Sequence, residues 1–231
     1  KKLININIIA IDGITGEEIY TKVQSGVEGE KYETKPIILP GYEISKTPEN
    51  ASGTYTRDDV NVIYEYKRIS EGVIVTYIDK DTREILDTEN ISGFVGEEYE
   101  TEKKIYEKYD YSEVIGNPKG KLEIDQIEVT YLYTKKTGIV EIVYADEEGN
   151  ELLKEELTGR VDDEYSIEIK DITNYRIKEV VGETEGQYTI EKQIVKFVME
   201  KLRGKVIVNL LDQNGNLIGQ FEEEDFVGEM F

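Results

Sequence analysis

The chain has 231 residues, which is enough for one large domain or several small ones. Its net charge of −22 argues against nucleic acid and anionic bilayers as partners, because both would repel it, and no apolar run reaches the ~18 residues of a membrane-spanning helix. The chain contains no cysteine and no histidine, which excludes disulfide bonds and the thiol- or imidazole-based nucleophile systems of many enzymes.

A β-strand is predicted near the start of the chain and again at intervals of about 66 residues. In each copy, β-branched, aliphatic or aromatic residues recur at every second position, which is typical of a half-buried strand. We expect these alternating trios to face a core. They are Ile6, Ile8 and Ala10; Val73, Val75 and Tyr77; Val140, Ile142 and Tyr144; and Val206, Val208 and Leu210.

Each of these strands ends on an aspartate, which opens a turn. The four aspartates are Asp12, Asp79, Asp146 and Asp212. In the last two copies the turn reads DEEGNE and DQNGNL, and its Gly-Asn pair suits the positive backbone dihedrals of a hairpin. We therefore predict a second strand that folds back antiparallel on the first.

The next segment reads GEKYET at 29–34 and GEEYET at 96–101. A glycine followed by acidic residues either begins a short helix, where acidic side chains favour the N-terminus, or forms an irregular crossover. One aromatic position recurs in phase through this segment. It is occupied by Tyr32, Tyr99, Tyr165 and Phe231.

The remainder of each copy contains a predicted turn and a last strand. In the first copy the turn covers 49–56, with Asn50 and Gly53 as its pivots. The last strand again has period two, and its trios are expected to face the same core. They are Val62, Tyr64 and Tyr66; Val129, Tyr131 and Tyr133; and Val195, Phe197 and Met199.

The repeats divide the chain into three full copies and part of a fourth. The predicted boundaries are 1–68, 69–135, 136–202 and 203–231. The connections KRISEG, TKKTGI and EKLRGK are too short to act as flexible tethers. If the first and last strands of a copy run parallel, its termini lie at opposite poles, and we expect an elongated rod on the order of 100 Å long.

An ordered set of motifs recurs in the copies. The clearest examples are YID (77–79), SGFVGEEY (92–99), GY (41–42), GTYT (53–56), GQYT (186–189) and VIYEY (62–66). Together they resemble the MucBP (mucin-binding-protein) repeat of Gram-positive surface adhesins, over essentially the whole chain. The third copy departs from the pattern, with Asp162 in place of Gly29 and Gly96, and Asn174 in place of Gly41. The second copy has Lys108 where the first has Gly41.

The resemblance implies a mainly β, α+β module of β-grasp or ubiquitin-like shape, in which the first and last strands are parallel neighbours. It also implies an extracellular location at the cell surface or cell wall of a Gram-positive bacterium. Mucin binding is attached to the family by name, so host mucin or other glycans are expected candidate partners.

Two sets of residues are candidate ligand sites. Oxygen-bearing side chains at alternating turn positions are typical of calcium loops, and they occur at Asp79, Asp81, Asp146, Asp212 and Asn214. The distal bidentate glutamate of such a loop is missing, and hairpin turns use the same residues. Calcium is therefore the one cofactor kept as a candidate, and no other is expected.

Most of the 17 tyrosines recur at inward-facing positions and are predicted to fill the core. Tyr20, Tyr106 and Tyr111 have no aromatic counterpart in the other copies, and they are the candidate glycan contacts. Because sialylated or sulfated mucins are anionic, as this chain is, binding would need neutral sugars, bridging cations or local basic spots.

The 50 acidic residues fall mostly in turns or on polar strand positions, where a solvated face explains them better than catalysis. We therefore expect a non-enzymatic stalk that holds other domains of the same surface protein away from the wall. Direct binding of mucin or other host glycans is one alternative, and a subunit of a surface fibre or surface layer is another. The incomplete fourth copy would expose a strand edge, so we also keep self-association through it as a hypothesis beside a simple fragment boundary.

Overall fold

The computed structural model describes residues 2–228, and nearly all of its regular structure is β. The described chain contains one short helical segment, the three-residue 3₁₀ turn at Glu49–Ala51. The predicted mainly β class of small tandem repeats is confirmed. Where an α+β module would place a helix, the described residues have an extended segment between two short strands.

The strands of the first repeat are β1 (Leu3–Asp12), β2 (Glu18–Val27), β3 (Lys31–Glu33), β4 (Tyr42–Lys46), β5 (Ser52–Thr54) and β6 (Val60–Arg68). Those of the second are β7 (Val73–Asp79), β8 (Ile85–Ile91), β9 (Glu98–Glu100), β10 (Tyr109–Ile115), β11 (Lys119–Lys121) and β12 (Ile127–Lys135). Those of the third are β13 (Thr137–Asp146), β14 (Glu151–Arg160), β15 (Glu164–Ser166), β16 (Tyr175–Val181), β17 (Glu185–Gln187) and β18 (Gln193–Lys201). The hairpin of β19 (Arg203–Leu211) and β20 (Leu217–Phe226) follows.

The chain forms two compact units. The first comprises Lys1–Ile105 and Tyr111–Thr134, and the second comprises Tyr106–Asp110 and Lys135–Phe231. The first unit contains the sheet of the first repeat and most of the second, and the second unit contains the sheet of the third repeat and the β19–β20 hairpin. The proposed boundaries after residues 68, 135 and 202 stay predictions.

Each of the three full repeats has the same four-stranded sheet. The strand orders are β2-β1-β6-β4, β8-β7-β12-β10 and β14-β13-β18-β16. The first and last strands run parallel at the centre of each sheet, with Ile8 opposite Val62 in the first repeat and Ile142 opposite Val195 in the third. This confirms the parallel pairing that the family resemblance implied.

The alternating trios are buried in all three full repeats. Their exposed fractions run from 0 to 4%, and the first and third repeats have separate clusters of buried residues. The expectation for the fourth trio was wrong, because Val206 and Val208 are only half-buried and Leu210 is 48% exposed. In the described residues β19 pairs only with β20 and lacks the parallel neighbour whose trio completes the core in the full repeats.

The GEKYET segment forms neither a helix nor an irregular crossover. Its tyrosine sits in a three-residue strand that pairs with a second short strand, so that Tyr32 lies opposite Gly53. Gly53 is therefore a strand residue and not the pivot that was predicted, and the turn lies before it, at Glu49–Ala51. A Cβ at Gly53 would come closer than 3.0 Å to the Tyr32 ring, so the glycine is needed for close approach of the ring.

A second glycine in each repeat admits a ring or branched side chain in the same way. The Ser-Gly or Thr-Gly motif places Gly26 against Tyr55, Gly93 against Leu122, and Gly159 against Tyr188. A Cβ at any of these glycines would approach the partner side chain to less than 3.0 Å. Each partner is buried and directly follows the second of the two short strands, so the motif packs this short strand pair against the main sheet.

One buried side-chain hydrogen bond is present in the first and second repeats and is replaced by an apolar contact in the third. Thr34 and the Tyr64 hydroxyl share a hydrogen bond of 2.8 Å, and Thr101 and the Tyr131 hydroxyl share one of 2.9 Å. The third repeat has Ile167 and Phe197 at these positions, and both are buried. Both partners differ in the third repeat, so no hydroxyl is left behind there. Loss of the threonine alone would leave the buried tyrosine hydroxyl without this partner, whereas each threonine hydroxyl also donates to a backbone carbonyl.

We expect Thr101→Ile to destabilise the chain by about 1–3 kcal/mol, because the buried Tyr131 hydroxyl loses its partner. The double variant Thr101→Ile/Tyr131→Phe, which copies the third repeat, should recover most of this loss. Urea denaturation of both variants measures the difference. A double variant that is less stable than Thr101→Ile would contradict this explanation.

We expect Gly159→Ala to destabilise the chain by about 1–3 kcal/mol, because its Cβ would overlap the Tyr188 ring. Gly204→Ala is the matched control, since the nearest atom to its Cβ would lie 3.5 Å away, at ordinary contact distance. Thermal unfolding followed by circular dichroism compares the two variants. Equal shifts in the melting temperature of the two variants would refute the proposed role of Gly159 in packing the Tyr188 ring.

Candidate functional site

A surface groove of about 790 Å³ runs along the first repeat. One wall is the core-facing side of the edge strand β2, and the other is the extended segment that follows β3. Its lining residues are Ile8, Tyr20, Lys22, Gln24, Glu33, Lys35, Pro36, Ile37, Ile38 and Leu39. The volume lies within the range of small-molecule sites.

The strand register explains why Tyr20, Lys22 and Gln24 line this groove. They lie opposite Ala10, Ile8 and Ile6, respectively, and so share the face on which β1 buries its trio. Side chains on an edge strand's core face are usually apolar when the core covers them. Here the face is polar, and Tyr20 is 49% exposed.

The same positions in the second repeat form an internal ion-pair network. Asp87 lies opposite Tyr77 and Glu89 lies opposite Val75, so they correspond to Tyr20 and Lys22. The Lys104 ammonium forms salt bridges with both carboxylates and lies 4.6 Å from the centre of the Tyr77 ring. Lys104 thus closes over the face that is open in the first repeat.

These contacts shift the pKa values of Asp87, Lys104 and Tyr77. The Lys104 ammonium lowers the pKa of the Asp87 carboxyl, and the two carboxylates raise the pKa of Lys104. Burial raises the pKa of the Tyr77 hydroxyl, and the neighbouring Glu89 adds to this effect. Lys104 and Asp87 therefore stay charged and paired with each other at neutral pH.

The third repeat has a similar, looser arrangement. Leu153 lies opposite Tyr144 and Glu155 lies opposite Ile142 on the edge strand β14. The Lys170 ammonium is 3.9 Å from the Glu155 carboxylate. A lysine on the extended segment thus faces a glutamate on the edge strand in both the second and third repeats.

The first repeat inverts this pattern. Lys22 replaces the glutamate, and Ile37 occupies the position of Lys104 and Lys170, counted from the tyrosine of the short strand. Lys35 also stands where the other repeats have Glu102 and Glu168. The groove therefore combines two lysines, one glutamate and an exposed tyrosine in a chain that is otherwise strongly acidic.

The three candidate glycan-contact tyrosines are not brought together. Tyr20 lines the groove of the first repeat. Tyr111 is partly exposed, but its ring packs 6.0 Å from that of Tyr133, and the Lys103 ammonium lies 4.9 Å from its centre. Tyr106 is half-buried and packs edge-on against Tyr109. Their role in glycan contact stays a prediction, and the groove singles out Tyr20.

The aspartates at the strand ends cap their own turns. The Asp79 carboxylate accepts hydrogen bonds from the backbone N–H groups of Asp81 and Thr82. The Asp146 carboxylate accepts from the backbone of Glu148 and from both the backbone and the side-chain amide of Asn150. Among residues 2–228, no three acidic side chains are grouped as a metal site would require.

The fourth copy repeats this turn. Asp212 accepts hydrogen bonds from the backbone N–H groups of Asn214 and Asn216, and from the side chain of Asn216. This capping explains the aspartates without a cation. Calcium binding by these residues stays a prediction. Phe231, the aromatic counterpart of Tyr32 in this copy, lies outside the described residues.

The important groove residues other than Tyr20 were missed in the sequence. Lys22, Gln24 and Lys35 looked like ordinary polar residues on a charged surface. Comparison of the repeats position by position would have shown the reversal of sign at two of them. The groove itself could not be anticipated, since it depends on how far the extended segment stands from β2.

The sequence profile of the MucBP domain matches this chain three times, at residues 11–67, 72–134 and 139–200. Among curated proteins, the chain is 31% identical to internalin J of Listeria monocytogenes serovar 1/2a over 87% of its own length. It is 27% identical to internalin I of Listeria monocytogenes serotype 4b over 85% of its length. The chain spans 25% and 11% of these two relatives, respectively.

Two solved structures share local similarity with the chain. The Bacillus anthracis TIE protein is 11% identical, with a TM-score of 0.40, over 87% of this chain and 51% of that one. The type 2 repeat of the mucus binding protein MUB from Lactobacillus reuteri is 15% identical, with a TM-score of 0.22, over 58% of this chain and all of that one.

No helix in residues 2–228 has the length and apolarity to cross a membrane.

We expect Asn150→Ala to raise the pKa of Asp146. The hydrogen bond from the Asn150 side-chain amide is the main reason why this pKa lies below its ordinary value. A depressed carboxyl pKa stabilises the fold above the ordinary aspartate pKa, and this contribution is lost as the pH falls through the lower, folded value. The variant should therefore lose less stability on acidification than the parent chain.

Carboxyl chemical shifts in an NMR pH titration measure this change. Asp212 serves as the internal control, because the Asn216 amide lowers its pKa in the same way and is untouched by the substitution. An unchanged pKa of Asp146 in the variant would show that the amide does not set it.

Proposed function

The chain belongs to the MucBP family, and we propose that it is a non-enzymatic stalk of a bacterial cell-surface adhesin. The observation that carries this proposal is the way in which the short linkers are held. At each junction the linker backbone forms hydrogen bonds with the repeat before it and with the repeat after it. A stalk needs this property, because it must keep its length under load.

The junction of the first two repeats lies within the first compact unit. The Ile69 N–H donates to the Gly41 carbonyl of the first repeat at 2.9 Å. The Val95 N–H of the second repeat donates to the Arg68 carbonyl at 2.9 Å, and the Ser70 N–H donates to the Gly93 carbonyl at 3.0 Å. The linker is thus fixed on both sides by backbone bonds.

Equivalent bonds occur within the second unit. The Lys136 N–H donates to the Lys108 carbonyl and the Val161 N–H donates to the Lys136 carbonyl, both at 2.9 Å. Further along, the Leu202 N–H donates to the Asn174 carbonyl and the Val227 N–H donates to the Leu202 carbonyl, both at 2.8 Å. The linker bonds therefore recur wherever one repeat passes into the next.

Two departures from the repeat pattern lie at these junctions. Asp162 has a φ of 70°, in the left-handed region that its glycine counterparts occupy, and its carboxylate pairs with Lys108 at 2.9 Å and Lys135 at 3.3 Å. Asn174 has a φ of 68°, and asparagine tolerates this region better than most residues. The Asp162 side chain adds ion pairs that glycine could not form.

We place the stalk outside the cell, on the surface or wall of a Gram-positive bacterium, as part of a longer protein with other domains. The family membership and the similarity to the internalins support this placement. The arrangement of the repeats as a rod stays a prediction, which small-angle scattering tests. Self-association through the β19–β20 hairpin, as in a fibre, also stays a prediction, and sedimentation over a range of concentrations tests it.

A second function, direct binding of host glycans by a repeat, is favoured by one observation. The groove of the first repeat exposes a tyrosine and two lysines that the other repeats do not have at these positions. A stalk role alone requires none of these side chains. Binding of a glycan by the first repeat is compatible with a spacer role for the rest.

We expect Ile69→Pro to loosen the junction between the first two repeats, because proline lacks the N–H that donates to Gly41. The chain has no cysteine, so two spin labels attached at Lys31→Cys and Lys119→Cys report a single distance. Both positions are exposed. The distance distribution from pulsed electron spin resonance should be narrow in the parent chain and broader in the variant.

Ile69→Ala is the matched control, because it shortens the side chain and keeps the N–H. It should leave the distribution narrow. If the parent chain already gives a broad distribution, the linker bonds do not hold the repeats and the stalk proposal fails.

A further inference from the structure

From the groove of the first repeat we infer a binding site for an acidic saccharide, with one anionic sugar placed between Lys22 and Lys35 and against the ring of Tyr20. This inference rests on the second proposed function, glycan binding, and gives it a location and a ligand class. It is independent of the stalk proposal.

The two lysines are available to a ligand. Among residues 2–228, no carboxylate lies within salt-bridge distance of the ammonium group of Lys22 or Lys35, whereas Lys104 and Lys170 in the other repeats face acidic partners. Glu33 is the acidic member of the lining, so the lysines outnumber it two to one. The net positive charge is local, since the chain as a whole carries −22.

The spacing of the side chains suits a sugar ring. Tyr20 and Lys22 are two residues apart on the same face of β2, which separates their Cα atoms by about 7 Å. The half-exposed Tyr20 ring offers an apolar face with a polar tip. Gln24 continues the row by another two residues and offers an amide that both donates and accepts hydrogen bonds.

The opposite wall gives the site a second, apolar side. Ile38 is 96% exposed, and it follows Pro36 and Ile37 on the extended segment. Proline restricts this segment, so little conformational freedom is lost when a ligand packs on it. A groove with an aromatic wall, an apolar wall and a few charged groups has the composition of a ligand site.

The charge of the whole chain limits the size of the ligand. A long polyanion would extend past the groove onto an acidic surface, and repulsion acts over a Debye length of about 8 Å at physiological salt. A short oligosaccharide, or a single acidic sugar at the end of a chain, gains the attraction of the two lysines without this cost. The site is therefore expected to favour short or terminal acidic sugars.

Isothermal titration calorimetry of the full chain tests the inference with three probes. Two probes are anionic: a short uronic-acid oligosaccharide, and an oligosaccharide of the same length made of neutral sugars that carry sulfate groups. The third is the uronic-acid oligosaccharide with its carboxylates reduced to alcohols. We expect saturable binding of an anionic probe that weakens as salt is raised, and binding of the reduced probe that is at least about tenfold weaker. The anionic probe that binds more tightly identifies the anion.

Lys22→Glu and Tyr20→Asp are the informative variants, because they introduce the charge type that the second repeat carries at Glu89 and Asp87. Tyr20 and Lys22 are both exposed, so loss of binding without a change in circular dichroism is interpretable. We expect each variant to bind the anionic probe at least about tenfold more weakly. Lys31→Glu makes the same charge change at an exposed position outside the groove, and it should change the affinity by less than about twofold.

The outcomes separate the two proposals. Equal binding of the anionic and reduced probes, or equal losses in Lys22→Glu and Lys31→Glu, would overturn the acidic-saccharide site while glycan binding stands. If none of the probes binds and a broad array of neutral glycans also gives no saturable signal, glycan binding itself fails. The spin-label experiment on the linker decides the stalk proposal separately.

Discussion

Parallel pairing of the first and last strands is the constraint on which each repeat depends. It places two trios of apolar and aromatic side chains beside each other at the centre of the sheet, and the largest fully buried side chains of the described residues all belong to these trios. Since a parallel pair cannot be closed by a tight turn, the chain between the two strands must cross the sheet. That crossing segment contains the pair of short strands, carries the second wall of the groove and supplies the carbonyl groups that hold the linkers.

Parallel pairing of these strands leaves the core side chains free to differ between repeats, provided that contacting side chains differ together. The second repeat stacks Tyr77 on Tyr131, and the third stacks Tyr144 on Phe197 with ring centres 4.6 Å apart. The first repeat has Ala10 beside Tyr64 at the same place. The three cores thus fill one backbone arrangement with different side chains.

The strands of the main sheet were predictable from sequence because burial on one face leaves a period of two that tertiary contacts do not disturb. The short strands around Tyr32 and Gly53 were not, since three residues are too few to show a period and their pairing depends on a ring that lies over a glycine. The fourth trio was predicted to be buried because it has the same period of two. Its burial would depend on a neighbouring parallel strand, which the described residues do not contain. The groove was predictable only through Tyr20, whose lack of an aromatic counterpart was visible in the sequence.

The difference between the first repeat and its neighbours has an evolutionary consequence. Tandem copies of similar sequence recombine readily, and an unequal exchange can lengthen or shorten such an array without disturbing any module. An exchange that overwrote the first module with the second would replace one complete core with another, yet it would also replace Tyr20 and Lys22 with the aspartate and glutamate of its neighbour. Selection on the length of the array and selection on this one surface would then act on separate features of the same gene.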